Sequence, residues 1–137
     1  MWFFSRVATF LGLWLWTGWH YRLRWFLTAY GLLIVSFAAL LLVPRLLVLL
    51  LAQVAFGFAV GLLYYSSLYY SMAVGDTQGE HGGMHESAIG AGIFAGPAVG
   101  ATALRVLPEY PNSGAWAVTL ALCGGLVGLL AMARRRR

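Results

Sequence analysis

The sequence contains no lysine and few charged residues of any kind. Charged residues make up 9% of its 137 positions, whereas 61% are apolar. A soluble domain of this size cannot bury so large an apolar fraction, so the composition predicts an integral membrane protein. The cations are all arginines near the ends of long apolar runs, and they form no basic stripe. This pattern argues against nucleic-acid binding and favours arginines that anchor the chain in a lipid bilayer.

Two further classes are excluded by scarce residues. Cys123 is the only cysteine, so no internal disulfide can form, and its apolar neighbours indicate a packing residue. The sequence has no serine–histidine–acid set, no phosphate-binding loop and no carboxylate pair inside an apolar run. We therefore expect neither enzymatic activity nor a cofactor.

The long apolar runs predict an all-α fold, a polytopic membrane bundle of about five transmembrane helices in one domain, 1–137. A run of about 20 apolar residues crosses the hydrocarbon core of a bilayer. By that measure the predicted spans cover residues 2–19, 25–43, 46–72, 87–107 and 115–133. Residues 73–86 between the third and fourth spans are predicted to form a polar loop. The third run is longer than the core is thick, so it must tilt or project into water.

The arginines also predict an orientation. Because spans alternate in direction, the loop at 20–24 and the C-terminal run 134–137 share one side, and together they hold six arginines. The other side holds Arg6, Arg45 and Arg105. The positive-inside rule then places the C-terminus in the cytoplasm, and we expect a multi-pass protein of the bacterial inner membrane. With the N-terminus outside and no signal sequence, we also expect further helices to precede this chain.

Small and helix-bending residues recur in the fourth span. Gly83, Gly92, Gly96 with Pro97, and Gly100 follow one another at set intervals. Glycine lets a neighbouring helix approach closely, and proline removes a helical hydrogen bond and permits a bend. We interpret these residues as a helix interface or hinge. A close-packed helix pair without motion is the simpler alternative.

This spacing resembles the antiporter motif of the major facilitator superfamily of secondary transporters, with Ala101 at the place of the last glycine. In the third span, Gln53, Gly57 and Gly61 are similar to the family's arginine–glutamine–glycine helix, with Gln53 at the place of its proton-coupling arginine. The resemblance implies alternating access between two helical bundles, driven by an ion gradient, most often of protons. The five spans would correspond to about the last five of the family's twelve, spans eight to twelve; spans two to six are the alternative.

Polar and small side chains share one stripe of the third span. At helical spacing the stripe comprises Gln53, Gly57, Val60, Tyr64, Ser67 and Ser71. On an apolar helix such a stripe faces a wet cavity or another helix. We take Gln53, Gly57, Tyr64 and Ser67 as candidate residues of a substrate cavity. The tyrosines that follow, Tyr69 and Tyr70, are typical of an interfacial aromatic belt.

Titratable residues cluster before the fourth span, and three interpretations are open. They are Asp76, Glu80, His81, His85 and Glu86. His81 and His85 have the spacing of a metal-binding pair, but the glycines between them weaken a helix and no third ligand is evident, so we predict no metal site. Alternatively the segment is a solvated loop in which Glu86 complements a helix dipole. A third interpretation is a gate formed by His85 and Glu86, in which protonation near neutral pH biases inward and outward states.

These observations favour a fragment or half of a secondary active transporter that moves a small solute by alternating access and is ion-coupled. Its resemblance to drug/proton exchangers implies efflux. The expected partners are the lipid bilayer, a small-molecule substrate and a missing or separate N-terminal helical bundle. The alternative is a non-transporting membrane scaffold or assembly subunit, which would dock partner helices through the glycine-rich seam of the fourth span.

Overall fold

The computed structural model describes residues 1–15, 18, 23–73 and 78–135, and it confirms the all-helical prediction. Within this part of the chain the helices are α1 Trp2–Leu15, α2 Leu23–Leu42, α3 Leu46–Ala73, α4 Gln78–Val106 and α5 Ser113–Arg135. Four segments are long and apolar enough to cross a membrane, namely Leu23–Leu42, Leu46–Ser71, Gly82–Val106 and Ser113–Arg135. The chain is therefore a multi-pass integral membrane protein. The described part of the first predicted span, α1, has 14 residues and is shorter than a full crossing.

Prolines separate the helices where the sequence predicts turns. Between α2 and α3, Pro44 has no N–H to continue a helix. There the Arg45 N–H donates to the Val43 carbonyl at 2.9 Å, and the Arg45 carbonyl accepts from the Leu49 N–H to begin α3. Between α4 and α5, two successive turns contain Pro108 and Pro111. Both connections are short, so each pair of helices runs antiparallel.

The fourth helix begins earlier than predicted. The expected loop at 73–86 is wrong for its second part, because α4 starts at Gln78 and continues through the glycine pair 82–83. Glu80 lies in the first turn, where its negative charge complements the helix dipole. Helical hydrogen bonds also satisfy the backbone as the chain enters an apolar phase, which outweighs the weak helix preference of two glycines. Asp76 lies outside the described residues.

The helices pack around α3. Helices α1 and α2 lie along it, the N-terminal part of α4 packs against its C-terminal part, and α5 packs against α4 and α2. The core is thin: among the described residues the buried apolar side chains are Leu13, Ala29, Ala52 and Ala59. Many large apolar side chains point outward instead. A lipid-facing surface explains this, because hydrocarbon tails solvate such side chains as well as a protein core does.

Two glycines of α3 bring the backbones of α1 and α3 together. A Cβ atom on Gly57 would collide with the Ser5 hydroxyl, and one on Gly61 would lie 3.0 Å from the Cβ of Thr9. Gly57 and Gly61 are four residues apart and therefore share one helix face, the arrangement that permits close helix contact in membranes. This contact sets the height of α1 against α3, and with it the position of the α1 side chains.

A second close contact joins α4 and α5. A Cβ on Gly114 would lie 2.9 Å from the Gly100 carbonyl oxygen and 3.1 Å from the Cγ of Leu104. Gly114 is itself buried at the start of α5. The C-terminal part of α4 is thus held by α5, while its N-terminal part is held by α3.

Candidate functional site

Polar and aromatic side chains from α1, α3 and α4 meet at one place in the bundle. We refer to this set as the polar cluster; its members are Arg6, Phe10, Tyr64, Ser67, His85 and Glu86. On α3, at about 1.5 Å per residue, Tyr64 lies roughly 27 Å from Leu46. That position is inside the membrane-competent segment Leu46–Ser71. It lies about 10 Å from Ser71, toward the end of that segment. Ionisable side chains inside membrane segments are costly and identify candidate functional sites.

Tyr64 connects a cation on α1 with a carboxylate on α4. Its hydroxyl donates a hydrogen bond of 2.8 Å to Oε1 of Glu86. The guanidinium carbon of Arg6 lies 5.0 Å from the centroid of the Tyr64 ring and 5.4 Å from that of Phe10. A cation is attracted to the electron-rich face of an aromatic ring, more strongly where water is excluded. The Arg6 and Glu86 charges are therefore joined through one side chain.

A second connection runs from α3 to α4 through Ser67. The Ser67 hydroxyl donates to the carbonyl of Tyr64 at 3.0 Å, and its oxygen lies 2.7 Å from Nε2 of His85. The His85 ring also stands edge-on to the Tyr64 ring, with 5.5 Å between their centroids. His85 is thus held by both a hydrogen bond and an aromatic contact.

The other ring nitrogen of His85 faces Glu86. Nδ1 lies 3.5 Å from Oε1 of Glu86, and it has no hydrogen-bond partner among the described residues although it is buried. This distance suits an ion pair with a charged ring but is too long for a good hydrogen bond. The two side chains differ in exposure, 10% for His85 and 57% for Glu86. The carboxylate is therefore the part of the pair that remains accessible.

Arg6 lies deeper in the bundle than expected from the arginine pattern. Its carbonyl oxygen lies 3.3 Å from a Cβ built on Gly61, about 22 Å along α3 from Leu46. The prediction that Arg6 lies with Arg45 and Arg105 at the opposite end of the helices is therefore corrected. The sequence contains one sign of this role: Ser5 and Thr9 share a helix face beside Arg6, and both hydroxyls donate to carbonyls within α1. Polar α1 residues on a common face indicate burial against protein.

The cavity candidates separate into two groups. Tyr64 and Ser67 join the gate candidates His85 and Glu86 in the polar cluster, which the sequence analysis treated as two independent features. Gln53 is half-buried and about 16 Å from Tyr64 along α3, too far to take part. Gly57 lies against α1, so at the level of Gly57 the polar stripe of α3 is covered by α1.

The hinge candidates also differ from one another. Apart from the adjoining backbone of α4 and the residues next to each glycine, no described atom lies within 4 Å of a Cβ built on Gly83, Gly92 or Gly96. Gly100 contacts α5, where Val118 comes within 3.5 Å. Pro97 lies inside α4, which continues through it. Most of the glycine seam therefore forms an open face of this chain.

An apolar pocket lies on the opposite side of α3 from the polar stripe. Its volume is about 410 Å³, and α3 contributes Phe58, Ala59 and Leu62 to its wall. Trp25 of α2 and Thr9 of α1 complete the enclosure. Such a lining suits a lipid chain or an apolar group, but it places no charged group in contact with its contents.

Within the described residues, no three histidine, cysteine or acidic side chains are close enough to hold a metal ion. Comparison with known proteins found no match: no family model, curated protein or solved structure matches this chain. The resemblance to the major facilitator superfamily thus remains a prediction.

Proposed function

We propose that this chain is part of a secondary active transporter of the major facilitator type, which moves a small solute across the membrane by alternating access coupled to an ion gradient. One observation carries the proposal. Arg6, Tyr64 and Glu86 link three helices through ionisable groups inside a membrane-competent segment. Networks of this kind serve ion and proton movement in transporters.

Energetic cost favours transport over a purely structural role. A charged side chain costs about 2.5–3.5 kcal/mol at the centre of a membrane helix and less toward its ends, where Glu86 lies. Helices that only dock need small residues, and the Gly57–Gly61 contact already holds α1 against α3 without any charge. Placing Arg6 and Glu86 in the same region is unnecessary for packing, so a role in moving charge accounts for them better.

A second helical bundle completes the proposed transporter. It would cover α4, whose candidate span contains no buried residue within this chain. In this arrangement the chain supplies about the last five helices of the transporter and lies in the inner membrane of a bacterium. Arg134 and Arg135 at the end of α5 favour a cytoplasmic C-terminus. DNA immediately upstream that encodes six or seven further apolar spans would identify the partner bundle.

The scaffold alternative is favoured by a different observation. The open face at Gly92 and Gly96 would accept a partner helix whether or not anything moves. A transporter and a scaffold differ in one measurable respect, which is whether the surroundings of the polar cluster change when an ion gradient is applied.

Thiol labelling distinguishes the two roles without knowledge of the substrate. Cys123→Ser removes the only native thiol, and Ser87→Cys places a new one on the exposed side of α4 beside Glu86. With the partner bundle present in oriented vesicles, we expect a pH gradient to change the labelling rate by an impermeant maleimide about fivefold or more. The reason is that alternating access opens this position to opposite sides in turn.

Asn112→Cys in the exposed α4–α5 loop is the matched control, because a loop thiol stays on one side in every state. We expect its labelling rate to be the same with and without the pH gradient. If Ser87→Cys behaves like this control while the chain and its partner are fully assembled, the transporter proposal fails and the scaffold role is supported.

A further inference from the structure

We propose that His85 and Glu86 form the binding site for the coupling ion, and that this ion is a proton held between His85 Nδ1 and Glu86 Oε1. The inference rests on the proposed transport function, for which it identifies the ion and the residues.

Ser67 determines which nitrogen of His85 carries a hydrogen. A hydroxyl has a single hydrogen to donate. The Ser67 hydroxyl donates it to the Tyr64 carbonyl at 3.0 Å, so toward His85 its oxygen can only accept. In the opposite arrangement the hydroxyl would donate to Nε2, the ring hydrogen would lie on Nδ1, and the Tyr64 carbonyl would lose its donor. We infer that the 2.7 Å contact is made by a hydrogen on Nε2. In the neutral ring, Nδ1 is then left with a bare lone pair.

That lone pair faces the Glu86 carboxylate across 3.5 Å. Two acceptors face each other there with no hydrogen between them, which explains why buried Nδ1 has no partner among the described residues. One added proton resolves this. It forms an N–H bond on Nδ1, breaks no other bond, and converts the pair to an imidazolium that donates to a carboxylate, for which about 2.8 Å is the usual distance.

The surrounding charges favour a proton over a metal ion. On α3 both His85 and Glu86 contact Tyr64, and Arg6 of α1 lies against the ring of that tyrosine. Contact with α5 occurs toward the other end of α4, at Gly100. Arg6 balances the Glu86 charge, so the cluster is neutral when empty and carries one positive charge when loaded. A metal cation would meet Arg6 and too few oxygen ligands.

Loading this proton also affects the contact between helices. Tyr64 and His85 compete for the same oxygen, Oε1 of Glu86. A protonated His85 draws that oxygen toward itself and weakens the Tyr64 hydrogen bond that ties α4 to α3. The same protonation makes the Nε2–H a stronger donor to Ser67, so proton binding shifts the α3–α4 connection from the Tyr64–Glu86 hydrogen bond to the His85–Ser67 hydrogen bond.

Nitrogen NMR of His85 tests the proton site directly and needs no transport. The full chain, with His20→Gln and His81→Gln, is labelled with ¹⁵N-histidine and placed in lipid nanodiscs. At high pH we expect the Nε2–H tautomer, and as pH falls both ring nitrogens should become protonated. In Glu86→Gln the proton resonance of the Nδ1–H should lose the downfield position of a hydrogen bond to a carboxylate, because the acceptor has lost its negative charge.

Two further variants separate the charge effect from a general disturbance. Tyr64→Phe keeps the ring but removes the competing donor, so the Nδ1–H bond to Glu86 should strengthen and its proton resonance should move further downfield. Met84→Leu, on an exposed position of the same helix, should leave it unchanged. A neutral ring in the Nδ1–H tautomer, or the same Nδ1–H resonance in the parent chain and Glu86→Gln, would overturn the proposal.

The result is independent of the thiol-labelling experiment. If the His85 resonances behave as expected but Ser87→Cys labelling is the same with and without the gradient, the transport function fails and the proton site stands. If labelling responds to the gradient while the Nδ1–H resonance is the same in Glu86→Gln, the proton site alone fails.

Discussion

Gly57 and Gly96 are equivalent in a hydropathy profile, yet their surroundings in the bundle are opposite. Gly57 lies against the backbone of α1, and its Cβ position is already occupied by Ser5. Gly96 has no described atom within 4 Å of the same position. One glycine therefore maintains a contact inside this chain, whereas the other leaves room for something outside it.

Leucine substitutions at the two glycines should separate these roles. Gly57→Leu forces α1 away from α3, and we expect it to lower the free energy of unfolding by about 1–3 kcal/mol or more. Gly96→Leu should change it by less than about 0.5 kcal/mol. Unfolding of the chain alone, followed by circular dichroism in mixed micelles, measures both.

With the partner bundle present, we expect Gly96→Leu to have a clear effect, unlike in the chain alone. A bulky side chain should then obstruct the partner helix and reduce gradient-dependent labelling at Ser87→Cys. Undiminished labelling would show that nothing slides or packs at Gly96. Equal losses of stability for the two leucine variants of the chain alone would contradict the packing assigned to Gly57.

Among the helices, α4 departs most from its sequence pattern. Its first turns contain glycines and titratable residues, which are typical of a loop, yet they are helical from Gln78. This early start is what brings His85 and Glu86 onto a rigid element opposite Tyr64 and Ser67. In a flexible loop the same side chains would have no defined distance from α3.

Alanine at Gly83 tests whether this segment is a helix. The position is exposed and has no described neighbour within 4 Å, so a methyl group fits without strain. Because alanine has a higher helix propensity, Gly83→Ala should stabilise the chain by about 0.5–1 kcal/mol. Unfolding in mixed micelles measures the gain, with Gly128→Ala on α5 as a comparison that is also unobstructed. If Gly128→Ala stabilises the chain and Gly83→Ala does not, the first turns of α4 are not helical.

The bundle as a whole has an open side and a charge asymmetry. Arg6 lies beside the middle of α3 and so belongs to neither end of the bundle. One end then has Arg45 and Arg105, and the other has the arginines at the end of α5. The asymmetry is therefore stronger than the sequence count suggested, and it favours a cytoplasmic C-terminus more clearly.

Reporter fusions test this orientation. Green fluorescent protein fused after Arg137 should fluoresce, and alkaline phosphatase at the same place should be inactive, because the former works in the cytoplasm and the latter outside it. Insertion of each reporter after Asn112, in the α4–α5 loop, should give the opposite pattern. An active phosphatase after Arg137 would contradict the orientation.

Much of the helical layout follows from local rules. Apolar run length predicts membrane-crossing helices, and the prolines at 44, 108 and 111 predict where they end, because neither feature depends on distant residues. The start of α4 was not predicted because glycine pairs have a low intrinsic helix propensity. In the structure, the membrane environment and the contacts with α3 outweigh that propensity. Arg6 was misplaced for a similar cause: hydropathy does not show where a short helix lies along its neighbour.

The polar cluster shows most clearly which features follow from the sequence and which depend on helix packing. Each of its side chains is visible in the sequence, and Tyr64, Ser67, His85 and Glu86 were all singled out there. Their assembly depends on helix packing, because Tyr64 and Glu86 are 22 residues apart and Arg6 belongs to a third helix. Composition and apolar length alone establish a helical membrane protein, since they set how each segment partitions between water and lipid. The close approach at Gly57 and Gly61 sets the height of α1 against α3, and α3 in turn packs against α4, so only those contacts bring one cation, one phenol and one histidine–carboxylate pair together.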